Sequence, residues 1–315
     1  GRAGMDLYPT PINTKTADAT EFVSALGGSS ANIAVALCRL GQRASLVTCI
    51  SDDAIGSFVK NQLKHYGVDS RFLRKVNGDC RASLAIVESR VEDHQSVIYR
   101  NNAADFQMDQ GDFVSIKMSE FSAMIITGTC LTSNPSRQAT LGALALAKQS
   151  GLLTIMDLDY RPYSWGTESQ ASEVYNEAVD LVDIVVGNDE EFGHMAGGLN
   201  FGEGFARSLA SLGKLAIYKM GGRGSQAFLC DEIISTDVFP VTPIKPTGAG
   251  DAFLGAVLAG LSSGEELARS LVYGSASAAL VVTRVGCAPA MPTLRELNLF
   301  VEEHEKSVKQ TIGRM

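Results

Sequence analysis

The sequence lacks the cysteine and histidine patterns that mark disulfide frameworks and metal centres. Its six cysteines stand singly, with no C-x-x-C motif, and this usage predicts buried thiols in a reducing compartment. The four histidines are dispersed and form neither an H-E-x-x-H motif nor a Cys/His cluster. No G-x-G-x-x-G motif is present, which argues against a dinucleotide enzyme. Structural zinc and a disulfide scaffold are therefore not expected.

Long apolar runs and an excess of positive charge are also missing. No apolar run approaches the length that spans a bilayer, and no basic-then-apolar leader is present, so we expect a cytoplasmic protein without a membrane partner. The net charge of −8 argues against a nucleic-acid partner, which would require a basic stripe. An anionic substrate would therefore have to be met by locally placed Arg or Lys. The opening letters GRAGMDLY suggest a strand already under way, with a few residues expected upstream.

What the sequence does contain is a regular alternation of strand and helix patterns. The apolar strand-type runs are SLVTCI, AMIITG, LLTIMDL, DIVVGN and LAIYKM. The helical patterns between them are SSANIAVALCRLG, DAIGSFVKNQLKHYG, SRQATLGALALAKQSG and EGFARSLASLG. This alternation predicts one α/β domain over residues 1–315, with a largely parallel sheet covered by helices. Ligands of such sheets bind beyond the carboxyl ends of the strands.

Two segments interrupt this alternation. Residues 6–26 are polar and rich in Thr, and residues 80–104 have the pattern of a β-hairpin. We expect both to form a small projecting sheet, which would serve as a lid or as a dimer contact. The C-terminal stretch 293–310 predicts a helix that opens with a Thr293-x-x-Glu296 capping box.

The stretch KPTGAGDAF, residues 245–253, places an acid directly behind three small residues and ahead of an apolar helical run. A helix N-terminus offers unpaired N–H groups and a partial positive charge. The amides of Gly248, Ala249 and Gly250 could therefore bind a phosphoryl group, with Asp251 as a base for an attacking hydroxyl. The alternative is a small-residue turn in which Asp251 only caps the helix.

KPTGAGDAFLGAVLAG resembles the C-terminal signature of the ribokinase-like (PfkB-type) carbohydrate kinases, and LGGSSANIAVALCRLG resembles their N-terminal signature. The similarity covers essentially the whole chain. It implies a three-layer α/β/α fold with a mostly parallel central sheet and a projecting β-sheet lid. It also implies ATP and Mg²⁺ as cofactors, and a homodimer formed through the lid. The stretches VIYRN, DLDYRPYSW and GCAPAMPT resemble family members that act on keto sugar acids.

The resemblance carries site residues onto matching positions. On the sugar side it implies that Asp6 binds hydroxyls, and that Gly27, Gly28 and Asn32 let the sugar lie against the backbone. Their alternatives are an ordinary turn Asp and the capped start of a helix.

On the nucleotide side, Asn188 and Glu191 match the family's N-x-x-E, which arranges Mg²⁺, its waters and the phosphates. Their alternative is the acidic first turn of a helix. Lys219, Gly221 and Gly224 would line the nucleotide, although a Gly-rich turn explains these glycines equally well. Ser275 would flank the adenine.

Two arginines would select the substrate. Arg100 ends a lid strand and Arg161 follows the strand in TIMDLDY, where sugar-acid kinases of this family place arginines. A carboxylate suits the planar, two-pronged guanidinium, although each arginine alone is more often a surface ion-pair partner. Trp165 follows in YRPYSW, either as a pocket wall or as core packing.

Lys245 departs from the wider family, because ribokinase itself has an acid at this position that helps bind a monovalent cation. An ammonium there would repel K⁺, so we expect activity that is independent of K⁺.

Together these features predict an ATP-dependent kinase for the terminal hydroxyl of a small keto sugar acid. The alternatives are a 2-dehydro-3-deoxygluconate kinase, a fructokinase-type enzyme, or a non-catalytic sugar sensor on a kinase scaffold.

Overall fold

The computed structural model describes residues 1–314. The strands are β1 Gly4–Thr10, β2 Glu21–Gly27, β3 Thr48–Ser51, β4 Leu73–Val76, β5 Ser83–Val87, β6 Ser96–Tyr99, β7 Ala123–Thr127, β8 Leu153–Asp157, β9 Ile184–Asn188, β10 Leu215–Lys219, β11 Ser225–Leu229, β12 Glu232–Thr236 and β13 Gln310–Arg314. The helices are α1 Ser29–Arg39, α2 Ala54–His65, α3 Gly111–Val114, α4 Ser136–Gln149, α5 Glu168–Asp180, α6 Asp189–Met195, α7 Gly202–Ser211, α8 Ala249–Ser262, α9 Leu267–Val282 and α10 Leu294–His304. In this described part, no helix is both long enough and apolar enough to cross a bilayer.

The described residues group into two compact units. The first unit comprises Gly1–Gln107 and Val238–Val308, and the second comprises Met108–Asp237 with the C-terminal residues from Lys309. The chain therefore leaves the first unit after β6 and returns to it before α8.

The second unit is built on a seven-stranded sheet in the order β13-β12-β11-β10-β9-β8-β7. Strands β7 to β10 pair in parallel, as their apolar runs predict, and β11 to β13 add antiparallel strands. Polar side chains at the carboxyl ends of β8, β9 and β10 follow directly on buried strand residues. This edge is where a parallel sheet presents its ligand-binding groups.

The first unit contains a four-stranded sheet in the order β2-β1-β5-β6. The hairpin predicted within residues 80–104 is confirmed, because β5 and β6 pair antiparallel. Strand β3, predicted for the main sheet, instead pairs in parallel with β4 in a separate two-stranded sheet.

Helix α8 is buried on all sides from Ala252 to Gly260, so the apolar face expected from its spacing extends around the whole helix. Its close packing on α1 depends on Gly255, where a Cβ atom would lie 2.4 Å from the Cβ of Ala36. One turn earlier on each helix stand Asp251 and Asn32. The close approach of the two helices thus brings these two polar residues together.

The C-terminal helix ends earlier than predicted. The capping box is confirmed, since the Glu296 N–H donates to Thr293 Oγ1 at 3.3 Å and the Thr293 N–H donates to Glu296 Oε2 at 2.7 Å. Helix α10 nevertheless stops at His304, and Gln310–Arg314 forms β13. Pairing with β12 satisfies the backbone of this tail, which local helical pattern alone could not reveal.

Candidate active site

The predicted phosphate-binding turn lies at the start of α8 in the first unit. Gly248 is the N-cap with φ of 83°, in the left-handed region that favours glycine. A Cβ atom at this position would also lie 2.9 Å from Cys287 Sγ, so glycine is required both by conformation and by space. Ala249 and Gly250 follow in the first turn, where helical N–H groups have no intrahelical partner. The turn can therefore present amides to an anion.

Asp251 is half-buried in the first turn of α8 and is held by a side chain of α1. Asn32 Nδ2 donates to Asp251 Oδ2 at 2.8 Å. The other amide atom, Asn32 Oδ1, is buried without a hydrogen-bond partner in the described structure. A buried acceptor of this kind costs about 1–3 kcal/mol unless a donor reaches it, and a sugar hydroxyl is such a donor.

Asp6 lies on β1 and is buried. Its Oδ2 accepts a hydrogen bond from Tyr8 Oη at 3.0 Å. Its Oδ1 lies over Gly27, where a Cβ atom would come within 1.9 Å of that oxygen, so only glycine leaves room for the carboxylate. Desolvation raises the pKa of Asp6, and the charges of Arg2 and Lys245 partly offset this effect. Gly28, with φ of 98°, caps α1 beside it.

Lys245 is fully buried, with 0% exposure, and Nζ donates to the carbonyl oxygen of Thr247 at the entrance to the turn. Desolvation lowers the pKa of Lys245, and the neighbouring Cys287, Asp251 and Asp6 oppose that shift. Lys245 Nζ therefore lies within electrostatic reach of Asp251, and its role as a substitute for a bound monovalent cation stays a prediction. The predicted independence from K⁺ depends on this position of Lys245.

Two further residues predicted for the site, Arg100 and Ser275, also lie in the first unit. Arg100 Nε donates to Asp105 Oδ2 at 3.1 Å, and the guanidinium lies 4.2 Å from the centre of the Phe106 ring. The Arg100 side chain is only 8% exposed, and its guanidinium already pairs with the buried carboxylate of Asp105. Ser275 is buried within α9.

In the second unit, Asn188 and Glu191 form a capping box at the start of α6. Asn188 Oδ1 accepts from the Glu191 N–H at 2.8 Å, and Glu191 Oε2 accepts from the Asn188 N–H at 2.8 Å. Glu191 Oε1 also accepts from the Tyr160 N–H at 3.2 Å. The helix-start alternative is thus realised, and the metal role of both residues remains a prediction. No group of three His, Cys, Asp or Glu residues in the described chain is arranged to hold a metal ion.

Sequence reasoning did not identify two further acids of this region, Asp157 and Asp159, which are both buried. Lys219 Nζ lies 3.6 Å from Asp157 Oδ1, and Arg161 Nη2 lies 2.6 Å from Asp159 Oδ1. Thr129 Oγ1 donates to Asp159 Oδ2 at 3.0 Å. The signal was available in the sequence, because DLDYR begins with the last residue of a buried parallel strand, and polar residues gather at this ligand-binding edge.

Burial dominates the electrostatics of this cluster. Desolvation raises the pKa of Glu191 to about 7, against the lowering effects of Lys219 and Arg161, and the charge of Asp157 raises it further. The pKa of Asp157 is raised for the same principal reason. The cluster thus holds several carboxyl groups with Lys219 and Arg161 as its cations, and oxygen donors of this type suit a hard divalent cation and its waters.

The remaining predictions concern the loop after β10 and Trp165. Gly221 and Gly224 have φ of 56° and 86°, and a Cβ at Gly224 would lie 2.2 Å from the Thr236 carbonyl oxygen. The turn explanation therefore accounts for both glycines without a nucleotide. Trp165 packs against the hydrophobic core of the second unit, with its ring 5.6 Å from that of Tyr175, as the core-packing alternative predicts.

The chain is similar to known proteins over nearly its whole length. Residues 1–294 match the family model described as pfkB family carbohydrate kinase. A 5-dehydro-2-deoxygluconokinase of Photobacterium profundum is 37% identical over 314 residues, which are 98% of this chain and 95% of that protein.

A fructokinase of Vibrio cholerae O395, crystallised with fructose, ADP and calcium ion, superposes with a TM-score of 0.84. The two chains are 24% identical, and the match covers 95% of this chain and 96% of the fructokinase chain. An aminoimidazole riboside kinase of Salmonella enterica, complexed with aminoimidazole riboside and an ATP analog, gives a TM-score of 0.80 at 25% identity, with coverage of 96% and 97%. The ribokinase-like α/β fold predicted from the sequence is confirmed by these structures.

Proposed function

The chain belongs to the pfkB family of carbohydrate kinases, and from that membership we propose that it phosphorylates the terminal 6-hydroxyl of 5-dehydro-2-deoxy-D-gluconate. The donor would be ATP with Mg²⁺, and the reaction would belong to myo-inositol catabolism in the cytoplasm. The name of the Photobacterium relative supports the substrate, and the solved kinases with ADP or an ATP analog support the donor. The structural observation that carries the proposal is the Asn32–Asp251 pair at the start of α8.

In this proposal Asp251 accepts the proton of the attacking hydroxyl. A carboxylate is a weak base, but the loose transition state of phosphoryl transfer needs little activation of the nucleophile. The Asn32 amide holds the carboxylate of Asp251 in place through Oδ2. The amides of Gly248, Ala249 and Gly250 stabilise the negative charge of the transferred phosphoryl group.

Sugar hydroxyls are held by Asp6 and by Asn32 Oδ1, the buried acceptor that has no partner among the described residues. Asn188 and Glu191 would organise a divalent cation and its waters, and the cation would supply neutralisation of the phosphate charge. Lys219, Gly221, Gly224 and Ser275 are assigned to the nucleotide. These assignments follow the family resemblance and the oxygen-rich character of the cluster in the second unit.

The experiment that tests the function is ADP release by the purified protein across a panel of keto sugar acids and neutral ketoses. We expect turnover with 5-dehydro-2-deoxy-D-gluconate and little with fructose.

Asp251→Asn keeps the shape of the side chain and should lose about 10²–10⁴-fold in kcat, the usual contribution of a general base. The matched control is Asp53→Asn, which changes an N-cap of α2 in the same unit and should leave kcat unchanged, because Asn caps as well as Asp. Absence of ADP release with every sugar acid would refute the function, and full turnover by Asp251→Asn would refute the base.

The choice of a sugar acid over a neutral sugar rests on the two arginines. Arg161 has the stronger support, because its side chain is 39% exposed, whereas Arg100 is buried against Asp105. Arg161→Lys should raise the KM for the sugar acid about 10-fold or more, since Lys cannot make two parallel hydrogen bonds to a carboxylate. Arg207→Lys is the control, because Arg207 is similarly exposed at 36% and pairs with Glu203 on the same helix. An unchanged KM in Arg161→Lys would remove this assignment.

We also propose that the sheet β2-β1-β5-β6 is the lid and that it joins two copies of the chain. The strand register places Phe22, Val97 and Tyr99 on one face, and these apolar side chains are 40%, 42% and 56% exposed. Large exposed apolar groups on one face favour an interface between proteins. Val97→Lys should shift sedimentation velocity from dimer to monomer, whereas Val91→Lys, in the hairpin turn, should not. A wild-type protein that sediments as a monomer would contradict the dimer.

A further inference from the structure

Three buried side chains of the first unit have no role in the proposed reaction, and all three adjoin groups that do. Tyr8 is 1% exposed, Cys287 is 5% exposed and Lys245 is fully buried. Tyr8 belongs to β1, Lys245 precedes the turn at Gly248, and Cys287 follows α9. Three distant parts of the chain therefore converge on one buried polar cluster.

Tyr8 connects this cluster to Asp6. Its Oη lies 3.0 Å from Asp6 Oδ2 and 3.4 Å from Cys287 Sγ. A phenol has only one hydrogen, and the carboxylate is the better acceptor, so Tyr8 donates to Asp6. The thiol can then donate to Tyr8 Oη. Desolvation raises the pKa of Cys287 to about 11, despite the opposing charge of Lys245, so the thiol keeps its hydrogen at neutral pH.

Cys287 connects the same cluster to the phosphate-binding turn. Its Sγ lies 2.9 Å from the position that a Cβ atom on Gly248 would take. Lys245 supports the turn from the other end, since Nζ donates to the Thr247 carbonyl oxygen. A continuous line of contacts thus runs from Asp6 through Tyr8 and Cys287 to Gly248.

We propose that Tyr8 and Cys287 are positioning residues that hold the sugar-binding carboxylate of Asp6 in fixed register with the turn at Gly248. The inference rests on the proposed function, in which Asp6 binds the sugar and the turn binds the phosphoryl group. Rigid positioning matters because a small displacement of the hydroxyl from its line of attack costs rate steeply. The hydrogen bond from Tyr8 also engages Asp6 Oδ2, so that Oδ1 would be the oxygen that binds the sugar.

The first test is Tyr8→Phe, which removes one hydroxyl and leaves the aromatic ring in place. Loss of a hydrogen bond to a charged group should lower kcat/KM for the sugar acid about 10-fold or more, while the KM for ATP stays within about twofold. Tyr66→Phe is the control, because it removes a phenolic hydroxyl from a residue of the same unit that packs on another hydrophobic cluster. A kcat/KM for the sugar equal to that of wild type in Tyr8→Phe would overturn the inference.

The second test asks whether the two residues act as one unit. Cys287→Ala should lower kcat/KM several-fold, and Cys287→Ser, which restores a hydrogen-bond donor of similar size, should recover most of the loss. If the contacts are in series, the double variant Tyr8→Phe/Cys287→Ala should be at most about twofold worse than the poorer single variant. Multiplication of the two single effects would mean independent structural roles and would overturn the inference.

Failure of this inference differs from failure of the proposed function. A wild type that neither binds a sugar acid in calorimetry nor releases ADP with one removes the function, and this inference with it. A wild type that phosphorylates a sugar acid, together with variants at Tyr8 and Cys287 that match it, removes the positioning roles alone.

Discussion

The buried carboxyl of Glu191 should make the protein less stable as pH rises, and replacement by Gln should abolish the contribution of this residue to that effect. Its pKa rises from 4.5 to about 7 on folding, with desolvation as the largest cause. Between these values the folded state binds more protons than the unfolded state, so the free energy of unfolding falls as pH increases. The stabilisation is complete below pH 4.5 and is lost as pH rises through 7.

The expected magnitude follows from the two pKa values. The change from 4.5 to about 7 corresponds to about 3 kcal/mol of unfolding free energy. Glu191→Gln also loses a hydrogen bond in the capping box, because an amide has only one acceptor oxygen to share between the N–H groups of Asn188 and Tyr160. The amide itself does not titrate, so the Gln variant adds only a constant offset to the comparison. The difference in stability between wild type and variant should therefore change by about 3 kcal/mol across the window, on top of a constant offset.

The measurement is urea unfolding of both proteins at pH values from about 4.5 to 7.5, with a chelator present so that no divalent cation binds. Glu296→Gln provides a control of opposite sign, because Glu296 occupies the same position of a capping box on α10. Desolvation acts to raise its pKa, but hydrogen bonds from Thr293 and the charge of Arg284 outweigh it and lower the pKa. Its contribution should therefore grow as pH rises. A difference between wild type and Glu191→Gln that stays constant across this pH range would refute the reasoning.

The sequence predicted the regular elements well, because each depends on a local pattern. The four parallel strands β7 to β10 and the helices α1, α2, α4 and α7 lie within one or two residues of the runs that predicted them. The helix predicted for the tail after α10 was wrong for a physical reason, since the strand that replaces it exists only through pairing with β12. Pairing partners distant in the chain leave no local trace in composition or spacing.

The candidate site shows the same limit. Motifs identified Asn32 and Asp251 separately, but the hydrogen bond between them depends on the close packing of α1 and α8 at Gly255. Tyr8 and Cys287 are separated by 279 residues, and neither belongs to a motif that predicts their contact. The pairing of Arg100 with Asp105 was readable only from the fold, because it requires the folded chain after β6.

Two predictions remain, one for the packing of Asp6 and one for monovalent cations. Gly27→Ala would place a Cβ atom 1.9 Å from Asp6 Oδ1, so displacement of the carboxylate should lower kcat/KM about 10²-fold, whereas Gly204→Ala, with open space around it, should not. Retained activity in Gly27→Ala would show that Asp6 can shift without loss. The second prediction follows from Lys245, whose buried ammonium donates to the Thr247 carbonyl oxygen beside the turn. A second cation at this place would repel the first at close range, so turnover in K⁺ and in tetramethylammonium should agree within about twofold. A several-fold loss of rate without K⁺ would mean that a monovalent cation acts despite Lys245, and that the ammonium does not substitute for it.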